Sequence, residues 1–550
     1  MRNRFDSESA VAKSALLQHL FASPPRSVRD IVRLHDDLLF LRAFPDSAGV
    51  ATLAREGLNR VGNWLRRANA HGSLDDSGIA SSTSRHTFPF AIAQWLVRSF
   101  PREVSLDWRE LDDTTHLDTL LRTFLTRAEE DAFDAGELST REWLRMAVPP
   151  AAASDLAWII ENGLAQRQTR ALFASLYDSD SLPVVWRLGG SRSPGSTTHN
   201  ELADIVPAYR HGMRSTPADP LRHIASPLPS IALLPRSRAL AVIDVARAAL
   251  TARCREVFAI SNPNADEVWL ADLGEGATLA IVGTQPDLRM SLESNYGYLL
   301  MSNGVPIGYG GVTPLWNQAN TGINIFDPFR GSEAGFLWAQ MLRAFRQLFG
   351  VRRFVVNGYQ FGEGNAEAIS SGAYWFYYRL GFRPADPAQA LLAAQEAAQL
   401  QRDRSYRSSA HTLRALAHGD LHLTLPGYRE STFIAEDLLQ VCAKKVTERL
   451  AADPSASRGS AINACVERVR RMLNVRSMSR WPAAERQAFV RFAPVLDLLP
   501  TLDSWPASDK EGLVAVARSK GSAQERDFVL KARLHRQFWP TLRRALTSKT

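Results

Sequence analysis

The chain has 550 residues, with 45% hydrophobic and 22% charged side chains. That is the make-up of a soluble protein with full-sized cores, long enough for two to four domains, and no stretch approaches the ~20 uninterrupted apolar residues of a membrane span. The opening MRNRFDSESAVAKS is polar from the start and has no apolar h-region; a cytoplasmic protein with no membrane partner is expected.

Cys254, Cys442 and Cys465 lie far apart and form no C-x-x-C pair. They point to neither a disulfide framework nor a zinc site, so reduced thiols and no metal are expected. The formal charge of +8 is concentrated late in the chain. Residues 510–550 hold ten Lys or Arg against Glu511, Glu525 and Asp527, a net +7, and a shorter cluster, Arg468, Arg470, Arg471, Arg476 and Arg480, lies upstream. A solvated helix face accounts for such a stripe, and an acidic protein or a nucleic acid is the partner class its charge would attract.

To about residue 235 the pattern is mostly helical: SVRDIVRLHDDLLFLRAF, GVATLAREGLNRVGNWLRRA and HLDTLLRTFLTRAEEDAF repeat apolar residues every three or four positions. Two loops rich in Gly, Ser and Thr, 71–85 and 189–200, interrupt it; the second lacks the G-K-[ST] ending of a phosphate loop. The Pro-rich stretch ASPLPSIALLPRSR (225–238) marks a boundary. Beyond it come a helix and strand-like runs at 267–273, 278–283, 296–302 and 305–312, with Asn303-Gly304 as a two-residue hairpin signal between the last two. The strand GINIF (322–326), a helix over 332–349, the strand RRFVVN (352–357), a helix over 365–380 and a short strand after Gly381 follow. In the 332–349 helix, Leu337, Met341, Ala344/Phe345 and Leu348 form a sheet-facing stripe. From Pro387 onward the sequence is again helical.

The expected architecture is therefore α+β and multidomain: a helical region (1–235), a mixed-sheet α/β sandwich (236–386) and a C-terminal helical region with a basic tail (387–550).

Residues 240–385, and 305–384 most strongly, resemble the GNAT superfamily of acyl-CoA-dependent N-acyltransferases. VPIGYGGV looks like the family's central strand, and INIFDPFRGSEAG resembles the strand, loop and helix start that hold the coenzyme A pyrophosphate in the family. Backbone N–H groups at a helix N-terminus suit a phosphate, and glycines allow its close approach. The resemblance implies that Phe326, Arg330, Gly331, Ser332, Ala334 and Gly335 bind acetyl-CoA or another acyl-CoA. Glu333 stands where the family has its middle glycine; a carboxylate aimed at a pyrophosphate would repel it.

The family strand that RRFVVN resembles splays from its neighbour, and the gap receives the pantetheine arm. The family pattern N-x-x-A-x-x-x-Y-x-x-x-G-F, anchored on Gly381-Phe382, sets Tyr377 at the tyrosine that protonates the departing thiolate, Ala373 at the alanine and Ser370 at the asparagine beside the cofactor. The aromatic row Tyr374–Tyr378 then divides into a sheet-facing set near Ala373, Phe376 and Leu380, a Tyr374/Tyr378 face, and Tyr377. No histidine lies between His223 and His411, so the base falls to a carboxylate among Glu293, Asp327, Glu333, Glu363 and Glu367, with Glu293 chosen because it enters the central strands. The function implied is acyl transfer to an amine acceptor of a kind the sequence does not specify. The alternatives are a catalytically inactive module of this type within a helical interaction scaffold, and a protein that acts on nucleic acid, such as a charged tRNA, through its basic tail.

Overall fold

Ser27 and Ser47 each accept a backbone N–H three residues on, from Asp30 and Val50, and so start the helices Val28–Ala43 and Ala48–Arg67. In the second of these Val50, Ala54, Leu58, Val61 and Leu65 fill the buried face at the three- and four-residue spacing of the sequence. The computed structural model describes residues 2–68, 72–189, 192–331, 333–428, 437–455 and 457–547. The chain sorts into two bodies, one of residues 1–212, 241–257 and 303–306, the other of residues 213–240, 258–302 and 307–550. The helices after residue 387 thus group with the sheet.

The first body is not all-helical, contrary to expectation. Strands β1 (Thr83–Thr87), β2 (Val104–Leu106) and β3 (Pro183–Arg187) form an antiparallel sheet in the order β1-β3-β2. Its core holds Trp95, Trp186, Phe173, Tyr177 and Leu156. Runs of three to five residues such as PVVWR are too short for periodicity to separate from a buried helix segment, so the helical neighbours mask them in the sequence.

In the second body β4 (Ser230–Leu233), β5 (Pro263–Gly274), β6 (Ala277–Thr284), β7 (Tyr296–Ser302), β8 (Val305–Leu315), β9 (Gln318–Thr321), β10 (Asn324–Ile325), β11 (Arg353–Val356), β12 (Arg383–Pro384) and β13 (Leu421–Thr424) build one mixed sheet. Its order is β12-β13-β11-β9-β8-β7-β6-β5-β4, with β10 on β8. Asn303 and Gly304 both take positive φ, 50° and 76°, as the two-residue hairpin requires. Four strands depart from the sequence reading. β4 lies inside the Pro-rich stretch, and β13 lies in the C-terminal region expected to be all helical. β8 runs on to Leu315 and reverses through Trp316 (φ 53°) into the polar β9, QANT. A tryptophan at positive φ gives no turn signal, and a buried polar strand gives no apolar run.

The helix Ala334–Phe349 packs on the sheet, burying Leu337, Met341, Ala344, Phe345 and Leu348, and ends at Gly350 in the left-handed conformation (φ 71°). β11 pairs with β13, and Arg353 hydrogen-bonds His422 Nδ1 across that pair. Burial first and the Arg353 charge second push the His422 pKa down to about 4.

The C-terminal helices, among them Leu438–Ala451, Arg458–Met472, Ala483–Leu496, Ala507–Ser519, Arg526–Leu534 and Phe538–Thr547, enclose a core of Val469, Phe489, Phe492, Leu513, Phe528 and Phe538. Part of the basic stripe is folded into them: Arg468 bonds Asp453 and Asp497, Arg518 bonds Glu485, and Lys520 is buried against Glu525 at 2.6 Å.

One buried network joins these helices to the sheet. Glu267 on β5 is fully buried and accepts from Tyr296 Oη, Arg526 N and Glu525 N, each at 2.8 Å, and from Arg289 at 3.4 Å. Arg289 also donates to the carbonyls of Lys520 and Ser522 at 2.9 and 2.6 Å, and Lys520 donates to the carbonyl of Glu293 at 2.6 Å. Gly283 makes room, since a Cβ there would lie 2.5 Å from Glu267 Oε2.

Glu267→Ala strands Arg289 and two backbone N–H groups. A loss of about 3–5 kcal/mol is expected in urea unfolding, and a loss under 1 kcal/mol would show that the network is dispensable. His422 has a folded pKa below its unfolded 6.5, so its contribution to stability is complete above pH 6.5 and is lost as pH falls toward about 4. The acid-side fall of the urea midpoint should therefore be shallower in His422→Leu than in wild type, and identical slopes would contradict the assignment.

Candidate active site

β9 and β11 run parallel and pair over Gln318–Asn320 and Arg353–Val355. They then part. Beyond Thr321 the first strand stays on β8 in the same register through β10, Asn324 opposite Tyr309 and Ile325 opposite Gly308, while β11 continues against β13 to Val356. Parallel neighbours that diverge leave backbone groups of the two strands without a shared ladder.

Aromatic hydroxyls gather at the parting. Tyr377, 2% exposed, is ringed by Trp338, Phe361 and Phe382 at centroid distances of 5.9, 6.2 and 5.8 Å. Burial raises its pKa, and a backbone hydrogen bond from Ile323 works the other way, as an N–H donor to the phenol oxygen does. Tyr298 donates to the carbonyl of Gly322, and its own pKa is raised by burial first and then by Tyr377 and Tyr309. Gly310 admits the Tyr298 ring, since a Cβ there would meet Oη at 2.3 Å. Phe326 is buried and stacks on Tyr309 at 5.2 Å.

The helix over 365–380 is in fact two. Asn365 caps Ala366–Ser371, accepting from Ala368 N at 3.1 Å; Gly372 then takes φ 66°, and Ala373–Arg379 starts anew. The restart rotates the aromatic row, so the buried members are Tyr374, Trp375 and Tyr377, and Phe376 is only partly covered. Tyr374 stacks on Tyr378 at 6.1 Å, and Trp375 donates to Ser408 Oγ at 3.1 Å.

The loop before Ala334–Phe349 holds the other expected residues, except that Ser332 lies outside the described residues. Gly331 (φ 75°) is open to solvent, and Ala334 and Gly335 form the partly exposed first helical turn. Arg330 pairs with Asp327 at 2.9 Å and with Glu367 at 2.7 Å, side chains that are all more than half exposed. The Glu333 carboxylate points neither at the open loop nor outward. It is buried and accepts from Arg214 N, Nε and Nη2 at 3.0, 3.3 and 3.1 Å, with the Arg214 guanidinium 4.0 Å over the Phe336 ring. Ser370 is exposed and bonds the carbonyl of Glu367 at 2.9 Å.

Glu293 is not brought to the tyrosine. Ser294 N bonds the carbonyl of Pro314, and Pro314 pairs with Ala319. Ile323 is four residues farther along that strand, on the order of 13 Å away. Glu293 instead sits by Lys520, its pKa raised by burial and lowered in part by that lysine. Tyr298, Gly322, Ile323 and Arg214 are the participants that sequence reasoning missed. Tyr298 carried a signal only as an aromatic in β7, and Arg214 stands 119 residues from its partner.

Compared with known proteins, the chain matches no family model, no curated protein and no solved structure. Among the described residues no helix is long and apolar enough to cross a membrane.

Gly310→Ala must displace the rigid Tyr298 ring from the Gly322 carbonyl. A stability loss of about 1–3 kcal/mol with a change in the near-UV signal is expected, and unchanged unfolding would show that the ring does not hold the parting.

Proposed function

We propose that the second body is an acyl-CoA-dependent N-acyltransferase of the GNAT type. The observation that carries this reading is the end of the parallel β9–β11 pairing at Asn320 and Val355, with the buried Tyr377 near Ile323 just beyond it. A pantetheine arm extends a strand-like ladder, and strands that diverge offer it the backbone groups it needs. The buried pairing of Glu333 with Arg214 removes the electrostatic objection to a phosphate at the first turn of Ala334–Phe349, where backbone N–H groups and the helix dipole favour an anion. Arg330 is held only by exposed carboxylates, a pairing worth about 0–1 kcal/mol, so a phosphate competes for it readily.

In the reaction the acceptor nitrogen attacks the thioester carbonyl, the new C–N bond forms and the C–S bond breaks. The departing thiolate takes the Tyr377 proton, and the proton shed by the amine restores the phenol through water. Positioning of the two reactants supplies a large share of the rate. Because burial raises the Tyr377 pKa, the phenol stays protonated across neutral pH and contributes no basic limb to the rate profile. The acceptor amine belongs to the proposal only as a chemical class.

Acetyl-CoA and a long-chain acyl-CoA at about 1 mM should raise the Tm, as any ligand of the native state alone does. Tyr377→Phe should keep that shift while turnover of a model amine falls about 100-fold or more. No shift with any acyl-CoA would end the reading, and undiminished turnover in the variant would end the role of Tyr377.

A further inference from the structure

At the far end of the same helix three arginines converge without a counter-charge among the described residues. Arg346 lies in the last turn of Ala334–Phe349, Arg352 follows its glycine cap, and Arg533 comes from the helix Arg526–Leu534. The Arg533 guanidinium lies against Gly350, where a Cβ would stand 2.8 Å from Cζ. The Arg352 guanidinium sits 5.0 Å from the centroid of Tyr428, a residue 38% exposed. In all three arginines Nε is buried and has no hydrogen-bond partner. Burial lowers the pKa of Arg346 and of Arg533, the charge of Arg352 lowers both further, and Tyr428 alone opposes it. No carboxylate reaches either guanidinium among the described residues. Other late cations have carboxylate partners: Arg468, Arg518 and Lys520 each sit on one or more.

Unpaired buried donors are costly, and three like charges held together add repulsion. The helix C-terminus offsets only about half of one charge. Guanidinium forks match the oxygens of phosphate or carboxylate, but a single carboxylate would leave about two positive charges unneutralised. We infer that Arg346, Arg352 and Arg533, with Tyr428 at the rim, form a binding site for a phosphate group bearing two or more negative charges. It is separate from the Arg330 loop, since Gly335 and Arg346 are eleven residues apart on one helix, ~17 Å along its axis. The phosphate comes either from a phosphorylated small molecule or from the 5′-terminal phosphate of a nucleic acid.

The test uses the full chain and compares inorganic pyrophosphate with NaCl at matched ionic strength. Pyrophosphate should raise the Tm by roughly 2–4 °C or more. In Arg330→Gln, where the loop assigned to the coenzyme A pyrophosphate is weakened, the shift should persist, and it should vanish when Arg352→Gln is added. Arg352→Gln should also raise the Tm of the ligand-free protein at low salt, because it relieves repulsion on the two guanidinium groups beside it, an outcome that a merely structural arginine would reverse. A 5′-phosphorylated oligonucleotide binding at least about 10-fold tighter than its 5′-hydroxyl counterpart, with the difference lost in Arg352→Gln, would support the site and identify a nucleic-acid end as its source. No excess of pyrophosphate or 5′-phosphate over the matched controls, or a shift kept in Arg352→Gln and lost in Arg330→Gln, overturns the assignment.

Discussion

Two negative and two positive side chains, Glu267, Glu525, Arg289 and Lys520, are buried together between β5 and the connection from Ala507–Ser519 to Arg526–Leu534. Removing such charges from water costs several kcal/mol per ion, so they persist only with their partners in place. Here the partners come from segments some 260 residues apart, and two of the bonds to Glu267 are from backbone N–H groups of residues 525 and 526. The helices can satisfy this carboxylate in one register only. The C-terminal helices consequently belong to the same body as the sheet, and Arg526–Leu534 is carried to the end of Ala334–Phe349, where Arg526 donates to the carbonyl of Leu348.

The same helix presents opposite electrostatic problems at its two ends. At its start Glu333 is neutralised by Arg214, and the first turn, Ala334 and Gly335, is partly exposed. At its end Arg346, Arg352 and Arg533 have no such neutraliser among the described residues. The proposed transferase chemistry and the inferred phosphate site thus use different ends of one rigid element and different residues.

Much of the sheet was legible because its signals are local. Asn303-Gly304 requires two positive φ values that this dipeptide adopts cheaply. Leu337, Met341, Ala344, Phe345 and Leu348 repeat at helical spacing and are buried as that spacing implies. β9 was hidden because QANT reads as loop: its burial comes from neighbours β8 and β11, not from its own hydrophobicity. Gly372 broke a helix that periodicity continued through, and the break decided which faces of Tyr374, Trp375 and Phe376 turned inward.

By itself the sequence determined the elements whose stability is local: capped helices, the hairpin, the apolar stripe of Ala334–Phe349 and the composition of a chain with full-sized cores. It also singled out Tyr377 by its distance from Gly381-Phe382. Only the tertiary structure decided that the β9–β11 pairing ends near that hydroxyl, that Glu333 turns to Arg214, that Glu293 lies by Lys520, and that three arginines share one place with no carboxylate among the described residues. Each of these depends on charges or strands brought together from distant positions. Burial and pairing set their energies, and neither exists until the chain has folded.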